Sequence, residues 1–380
     1  MPYPGSRAFD VLLVGSGLGA AACTFELARG GARVGFVAGV GRPRSLEADG
    51  GVVDPLLVLR AFGEGAPLGA LVTQRQTFMA ESVNTAPLLS PVEEMLPRHV
   101  YRRLELETWA RERAVAAGAE YVEGFIEETV LPAPGELLEL ISEVGDQTLS
   151  AKTIALCEGS DPRISMRARL RPDYDPEDQL HFAKTIIERP AGDAVYLTGN
   201  TRTSWGMPIG VTAVPLESGL IVSVVARIEN IMRSNRSSTN ALEDLLSSSL
   251  GFDLGLQGER IDTGVELSAL RRYTRNVRLS HDRLLIGLDA SGMLDPREAQ
   301  RGDVTIRSGT HLAEFLMDPG ASPSWDEFAR PLLQQVRAVN ADWVDARSTG
   351  FVEEPRTGAG RTRALSRAGT GLLRRLRTRG

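Results

Sequence analysis

The first clear pattern along the chain is a short run of apolar residues, Val11-Leu12-Leu13-Val14, followed by a helix-like stretch and a second apolar run. Four consecutive apolar residues are typical of a parallel strand that is buried on both faces. Residues 20–29 are mostly good helix formers, and Gly30-Gly31 ends that stretch. Residues 32–37 have the composition of a second strand. The pattern therefore predicts a βαβ unit at the start of the chain.

Small residues mark the turn between the first strand and the helix, in the order Gly15, Gly17 and Ala20. This spacing matches the fingerprint of dinucleotide-binding folds, in which the glycines allow the backbone to approach a pyrophosphate. The amides and the dipole of the following helix would then face the phosphates. Without a ligand, the same turn serves as a tight connection. The residues that we expect to line a cofactor here are Gly15, Gly17, Leu18, Gly19 and Ala20.

The end of the predicted second strand departs from the fingerprint. An Asp or Glu normally binds the ribose hydroxyls there, whereas this sequence has Ala38, and the next carboxylate is that of Glu47. Losing one charged hydrogen bond lowers affinity by roughly ten- to a hundredfold. Because a dinucleotide makes many other contacts, we retain the prediction of a dinucleotide site.

The rest of the chain shows two kinds of hydrophobic pattern. Helical and strand patterns alternate up to about residue 160, whereas short apolar runs separated by turn residues dominate residues 176–264 and predict an antiparallel sheet. A strand-then-turn pattern and a helix return after residue 284. The predicted domains are a discontinuous cofactor-binding domain of residues 8–65, 98–175 and 265–320, an antiparallel substrate lobe of residues 66–97 and 176–264, a helical segment of residues 321–350 and a tail of residues 351–380.

Two cysteines, Cys23 and Cys157, and four histidines limit the metal chemistry of the chain. Two thiols cannot hold an iron–sulfur cluster or a cysteine-rich zinc site, and no two histidines have metal-ligand spacing. We therefore expect no metal site. The 380 residues include neither an apolar run of membrane-spanning length nor a signal-peptide pattern, so we expect a cytoplasmic protein.

The basic charge of the chain is concentrated at its end. Residues 355–380 contain eight arginines and no acid, so with a total charge of −6 the preceding 354 residues carry −14. We expect this tail to be disordered. A second interpretation is a basic anchor for an anionic membrane surface, which would place the protein peripherally at a membrane. We do not expect nucleic acid as a partner, because the acidic remainder of the chain would repel it.

Several motifs in this order resemble those of a known flavoprotein superfamily. Besides the amino-terminal glycine turn, they are a helix that begins at Arg103 and is closed by Gly118-Ala119, and the late sequence Asp289-Ala290-Ser291-Gly292. Supporting matches are Gly50-Gly51-Val52, Cys157-Glu158-Gly159 and Lys184-Thr185-Ile186-Ile187-Glu188. The chain resembles the FAD-dependent geranylgeranyl reductase and electron-transfer-flavoprotein:quinone oxidoreductase superfamily over residues 8–318, with the nitrogen-fixation-type quinone oxidoreductase branch the most similar in pattern.

The resemblance implies an α/β fold, with a Rossmann-like FAD-binding domain and an inserted antiparallel sheet as substrate lobe. It implies that Arg103 lies against FAD and that Asp289 bonds the ribityl chain, although Arg103 on a solvated helix face and Asp289 as a turn cap are the structural alternatives. The cofactor-binding residues that it implies are Gly15, Gly17, Leu18, Gly19, Ala20, Gly50, Gly51, Arg103, Asp289 and Gly292.

The implied activity is an FAD-dependent oxidoreductase that passes electrons or hydride between the flavin and a carrier or an unsaturated, quinone-like substrate. Since two cysteines cannot hold a cluster, electron transfer to a quinone would need a ferredoxin-like partner or the flavin alone. The residues assign no catalytic acid or base. His181 and Tyr196 fall in the predicted substrate lobe, where a single His or Tyr on a strand usually has a structural role.

Departures from the family pattern favour a different class of function. Besides Ala38, Leu288 stands where the second flavin motif has a glycine directly before its Asp, and Arg301 stands at or beside a later family glycine. A side chain where the backbone must approach a cofactor would crowd it. The alternative is a cofactor-poor, non-catalytic homologue that acts as partner subunit of a flavoenzyme. A flavin monooxygenase or halogenase is a weaker reading, because its Gly-Asp pair is Leu288-Asp289 here.

Overall fold

The structure is a computed structural model, in which the chain divides into one compact unit, Met1–Val344, and a second unit, Asp345–Gly380. All residues that the structure describes belong to the first unit. They are residues 7–37, 49–124, 126–130, 138–142, 147–158, 164–165, 170, 179–188, 195–269, 279–281, 283–287, 301–318, 320, 324–332 and 334.

The first sheet is built around strand β1 (Arg7–Val14), whose apolar run is buried on both faces as predicted. Val11 and Leu13 pack into one hydrophobic cluster, and Leu12 and Val14 pack into another on the opposite face. Parallel neighbours flank β1 on both sides, which is why the run has no polar alternation. The other strands of this sheet are β2 (Val34–Val37), β7 (Glu120–Val122), β8 (Ile126–Val130), β9 (Leu138–Ser142), β10 (Gln147–Leu156), β16 (Ser280–His281) and β17 (Leu284–Ile286).

Helices cover the face of the first sheet to which Val11 and Leu13 belong. Helix α1 (Leu18–Arg29) follows β1 directly and packs against three later helices. The backbones at Gly19 and Gly309 lie close together, because an added Cβ on Gly309 would lie 2.1 Å from the Gly19 carbonyl oxygen. The helices packed with α1 are α2 (Pro55–Phe62), α3 (Arg103–Ala116) and α7 (Arg301–Met317), and α8 (Trp325–Phe328) joins the same cluster.

The strands of the second sheet are β3 (Gly50–Val53), β4 (Leu71–Met79), β5 (Leu88–Leu89), β6 (Glu93–Arg102), β11 (Gln179–Glu188), β12 (Val195–Arg202), β13 (Pro208–Leu216), β14 (Gly219–Arg227) and β15 (Glu259–Ala269). Their order in the sheet is β15-β11-β14-β13-β12-β4-β6-β3, with β5 paired to β4. One face of the sheet packs on helix α5 (Ser238–Leu246), near the short helices α4 (Ile228–Ser234) and α6 (Ser249–Asp253).

The two sheets confirm the predicted α/β class, with a Rossmann-like first sheet of parallel strands that β8, β9 and β16 extend by antiparallel pairing, and a second, largely antiparallel sheet. One pairing differs from the expectation, because β12 runs parallel to β4. These strands are distant in sequence and no hairpin joins them, so nothing forces them to be antiparallel. The predicted domain limits at residues 97/98 and 264/265 fall inside β6 and β15, and β3 pairs with β6 although it lies in the range 8–65. None of the described helices is both long and apolar enough to span a bilayer.

Asp10 ties together three segments of the first sheet. Its carboxylate accepts a hydrogen bond from Lys152 Nζ in β10 at 2.6 Å and another from the backbone amide of Arg33 at 2.9 Å. These bonds, that of Lys152 first, hold the pKa of Asp10 below its usual 3.8. The charged form of Asp10 is therefore favoured by folding.

We expect Asp10→Asn to lower the free energy of unfolding at pH 7 by at most about 1 kcal/mol, because the ion pair is exposed. The folded-state pKa is depressed, so the stabilisation is complete above the unfolded-state pKa and is lost as the pH falls through the lower, folded-state value. Urea unfolding of both proteins at a series of pH values from 7 to 3 measures the difference. A difference that stays constant over the whole series would contradict the assignment.

Candidate functional site

Gly15 follows β1 and is required by packing inside the protein. Its φ is +135°, and a Cβ at this position would lie 2.1 Å from the carbonyl oxygen of Cys157, at the end of the neighbouring strand β10. Its amide donates to the carbonyl of Val37 at 2.8 Å, so the turn is held between both neighbours of β1. The structure therefore explains this glycine without any ligand.

Gly17 has a different environment, because it is the N-cap of α1 and no side chain of the described residues caps the helix. Its backbone is extended, with φ −70° and ψ 172°, a conformation open to any residue. The amides of the first turn, Leu18, Gly19 and Ala20, have no acceptor within a helix, and that turn contains no acidic residue. These donors and the helix dipole make the amino end of α1 a suitable place for an anionic group.

Helix α3 brings an ion pair to this end of α1. Arg103 Nε donates to Glu107 Oε1 at 2.8 Å, one helical turn along α3. The same Glu107 oxygen lies 3.4 Å from the position that a Cβ on Gly17 would occupy. The carboxylate of Glu107 is thus a close neighbour of the helix end, and the guanidinium of Arg103 is bonded to it.

Asp49 joins Arg103 to the second sheet. Arg103 Nη1 donates to Asp49 Oδ2 at 2.7 Å, and Lys184 Nζ donates to Asp49 Oδ1 at 2.5 Å. The side chains of Lys184 and Asp49 are 1% and 6% exposed, whereas that of Arg103 is 33% exposed. We call Lys184, Asp49, Arg103 and Glu107 the charged cluster. It runs from β11 in the second sheet to the amino end of α1.

Gly50 and Gly51 lie directly after Asp49, in the buried strand β3. A Cβ on Gly50 would come within 2.3 Å of the Tyr101 carbonyl oxygen and 2.8 Å of Ile221 Cδ1. The pairing of β3 with β6 continues into the amide of Arg103, which donates to the carbonyl of Asp49 at 2.9 Å. The close packing at Gly50 therefore fixes Asp49 beside the start of α3.

A second buried ion pair lies at the start of α7. Arg98 in β6 donates to Asp303, which also accepts a hydrogen bond from the amide of Asp54 at 2.9 Å. Burial raises the pKa of Asp303 above its usual value, against the opposing effects of Arg98 and the amide of Asp54. Arg301 is the first residue of α7, and the adjacent Gly302 would place a Cβ 3.0 Å from the Tyr101 hydroxyl oxygen.

The remaining predicted positions are distributed as follows. Ala38, Leu288, Asp289 and Gly292 lie outside the described residues. His181 Nδ1 is 2.5 Å from Ser238 Oγ at the start of α5, and Tyr196 is buried in a cluster with Val214 and Ile221. Within the part of the chain that the structure describes, no three His, Cys, Asp or Glu side chains are grouped to hold a metal ion.

No protein-family model and no curated protein matches this sequence. Solved structures match it in fold. A geranylgeranyl bacteriochlorophyll reductase-like protein from Thermoplasma acidophilum is 15% identical, with a TM-score of 0.67 over 89% of this chain and 84% of that chain. The flavin-dependent brominase Bmp2 is 15% identical, with a TM-score of 0.71 over 96% of this chain and 94% of that chain. The chain shares its fold with these two proteins. The halogenase PltM, solved with phloroglucinol and FAD, is also 15% identical, with a TM-score of 0.67 over 88% of this chain and 76% of that chain.

Sequence reasoning missed three members of the charged cluster as site residues. In the sequence, Lys184 stands out only as part of a strand motif, and no motif marks Asp49 or Glu107 as a binding residue. A lysine within the apolar run of a buried strand is a usable signal, because a buried lysine needs a partner. An acid one helical turn after Arg103 is a second signal. The pairing of Asp49 with Lys184 spans 135 residues and leaves no local trace.

The two glycines of the turn are expected to respond differently to alanine. Gly15→Ala combines a positive φ with a clash against Cys157, and should lower the free energy of unfolding by about 2 to 4 kcal/mol. Gly17→Ala meets an ordinary contact and should change it by less than about 1 kcal/mol. Urea denaturation of the two variants measures both values. Equal effects would contradict the packing explanation for Gly15.

Proposed function

We propose that this chain is an FAD-dependent oxidoreductase that passes electrons or hydride between the flavin and a carrier or an unsaturated, quinone-like substrate. The observation that carries the proposal is the amino end of α1, which no described side chain caps, beside Arg103 at the carboxyl end of β1. In doubly wound sheets of this kind, ligands bind outside the carboxyl ends of the strands. The fold shared with flavoproteins supports the choice of FAD.

The described residues fit the pyrophosphate of a dinucleotide. Gly17 brings no Cβ to the helix end, and the first-turn amides of α1 are the donors for the phosphates. Arg103 supplies a positive charge next to them, and its half-buried position beside α1 suits a contact with a bound anion. FAD, when bound, supplies the redox chemistry, whereas the protein supplies binding, orientation and electrostatics.

One observation favours the second candidate, a non-catalytic partner subunit of a flavoenzyme. Two carboxylates, Asp49 and Glu107, already hold Arg103, and Glu107 lies close to the helix end. A guanidinium that is balanced in this way attracts an anion less strongly than one facing solvent. The same fold could then be kept for its surface, with the cofactor bound weakly or lost.

The reductase branch and the partners are also proposals. The structural neighbours include both a reductase-like protein and halogenases, so the preference for a reductase rests on the sequence motifs. Since two cysteines cannot hold an iron–sulfur cluster, a ferredoxin-like protein is the proposed carrier for one-electron transfer, with the flavin acting alone as the alternative. We propose a cytoplasmic location, with the arginine-rich tail as a contact for an anionic membrane surface.

Substitutions at Gly17 test the cofactor site without disturbing the fold. Both Asn and Asp are good N-cap residues, so Gly17→Asn and Gly17→Asp should leave α1 intact. Asp adds a negative charge where the pyrophosphate is proposed to bind, and should weaken FAD binding on the order of tenfold or more relative to Asn. Titration of FAD fluorescence with each purified protein gives the two dissociation constants.

The visible absorption spectrum of the purified wild-type protein, before and after incubation with FAD, is the companion measurement. Flavin absorption that survives gel filtration supports the oxidoreductase. A colourless protein that takes up no FAD overturns it and leaves the partner subunit. If FAD binds and Gly17→Asp binds it as tightly as Gly17→Asn, the cofactor lies elsewhere on the protein.

A further inference from the structure

The charged cluster contains a buried lysine that the proposed function does not use directly. Lys184 belongs to β11, the second strand in from one edge of the second sheet, and its side chain is 1% exposed. Its Nζ atom is 2.5 Å from Asp49 and 5.5 Å from the centre of the Phe182 ring. Taking a lysine out of water is costly, so its presence here calls for a specific electrostatic role.

Charges in the cluster alternate along a chain of short contacts. Lys184 meets Asp49 at 2.5 Å, Asp49 meets Arg103 at 2.7 Å, and Arg103 meets Glu107 at 2.8 Å. The formal charges of these four side chains sum to zero. Without Lys184, Arg103 would be the single cation of these four side chains, between the carboxylates of Asp49 and Glu107, next to the helix end where a dianionic pyrophosphate is proposed to bind. The electrostatic interaction between Asp49 and Lys184 is strong because both side chains are buried, where salt screens charges much less than at the surface.

We propose that Lys184 is a positioning residue for the dinucleotide site, acting through Asp49 on Arg103. Lys184 offsets the charge of Asp49, so that Arg103 keeps its positive charge available to the phosphates instead of being neutralised by two acids. Lys184 thereby makes the charge at the amino end of α1 depend on a strand of the second sheet. This inference rests on the proposed function, because it assigns a residue to the same FAD site.

The test replaces each of the two lysines of the chain. Lys184→Gln removes the charge and keeps a hydrogen-bond donor for Asp49, and should weaken FAD binding by roughly ten- to a hundredfold. Lys152→Gln is the matched control, because Lys152 also pairs with an aspartate, Asp10, but is 69% exposed and belongs to the first sheet. The control should leave the FAD dissociation constant within twofold of the wild-type value. Both constants come from FAD fluorescence titration of the full-length protein.

A rescue variant separates this role from simple packing. The double variant Asp49→Asn with Lys184→Met removes both buried charges and restores the balance between Arg103 and Glu107. It should bind FAD within about threefold of the wild type, although its melting temperature differs. Since the double variant buries no charge at these positions, it remains a test of the proposal if Lys184→Gln does not fold. Binding by the double variant as weak as that of Arg103→Met would overturn the proposal.

A double-mutant cycle tests the route through Arg103. In an Arg103→Met background, Lys184→Gln should change the FAD dissociation constant by less than twofold, whereas an independent structural role would produce the same loss in both backgrounds. Wild-type affinity in a folded Lys184→Gln protein would overturn the positioning role and leave the FAD site standing. A wild-type protein that binds no FAD at all would overturn the proposed function, and this inference with it.

Discussion

The buried carboxylate of Asp49 links the second sheet to a helix that packs on the first. One of its oxygens accepts a hydrogen bond from Lys184 of the second sheet, and the other accepts one from Arg103 at the start of α3, which packs on the first sheet. Leaving a buried charge without its partner costs about 3–5 kcal/mol. The cluster is therefore stable only when both sheets are folded and in place. This requirement couples the local geometry at the amino end of α1 to the strand order of the second sheet.

The local patterns of the sequence account for most of the elements but not for their assembly. Val11 to Val14 and the glycines after them are sufficient to predict β1, the turn and α1, because burial on both faces and the end of a strand leave direct traces in composition. The assignment of β3 to the second sheet has no such trace, since it depends on pairing with β6 some 50 residues later. Asp49 acquires its partners through that pairing, so its role was not predictable from residues near it.

Glycine motifs show the same limit at the level of single residues. Gly15 and Gly17 belong to one fingerprint, yet Gly15 is explained by the carbonyl of Cys157, whereas among the described residues only Glu107 approaches the Cβ position of Gly17. Gly50 is likewise explained by the carbonyl of Tyr101. A sequence fingerprint does not distinguish a glycine required by packing from a glycine required by a ligand, because the residue type is the same. Only a glycine that a ligand requires is evidence for a cofactor. Of Gly15 and Gly17, only Gly17 is not already explained by packing.

The charge distribution around Gly17 then bears on the choice between enzyme and partner subunit. A site that had lost its ligand would have no physical reason to keep a costly buried lysine whose effect is to offset an acid beside Arg103. Hydrophobic residues of similar volume in place of Lys184 and Asp49 would stabilise the joint between the sheets at least as well. Under the proposed function, Lys184 offsets the charge of Asp49, so that Arg103 is not neutralised by two carboxylates beside the amino end of α1. A bound dinucleotide phosphate would use that charge, whereas a protein-binding surface outside this buried joint would not.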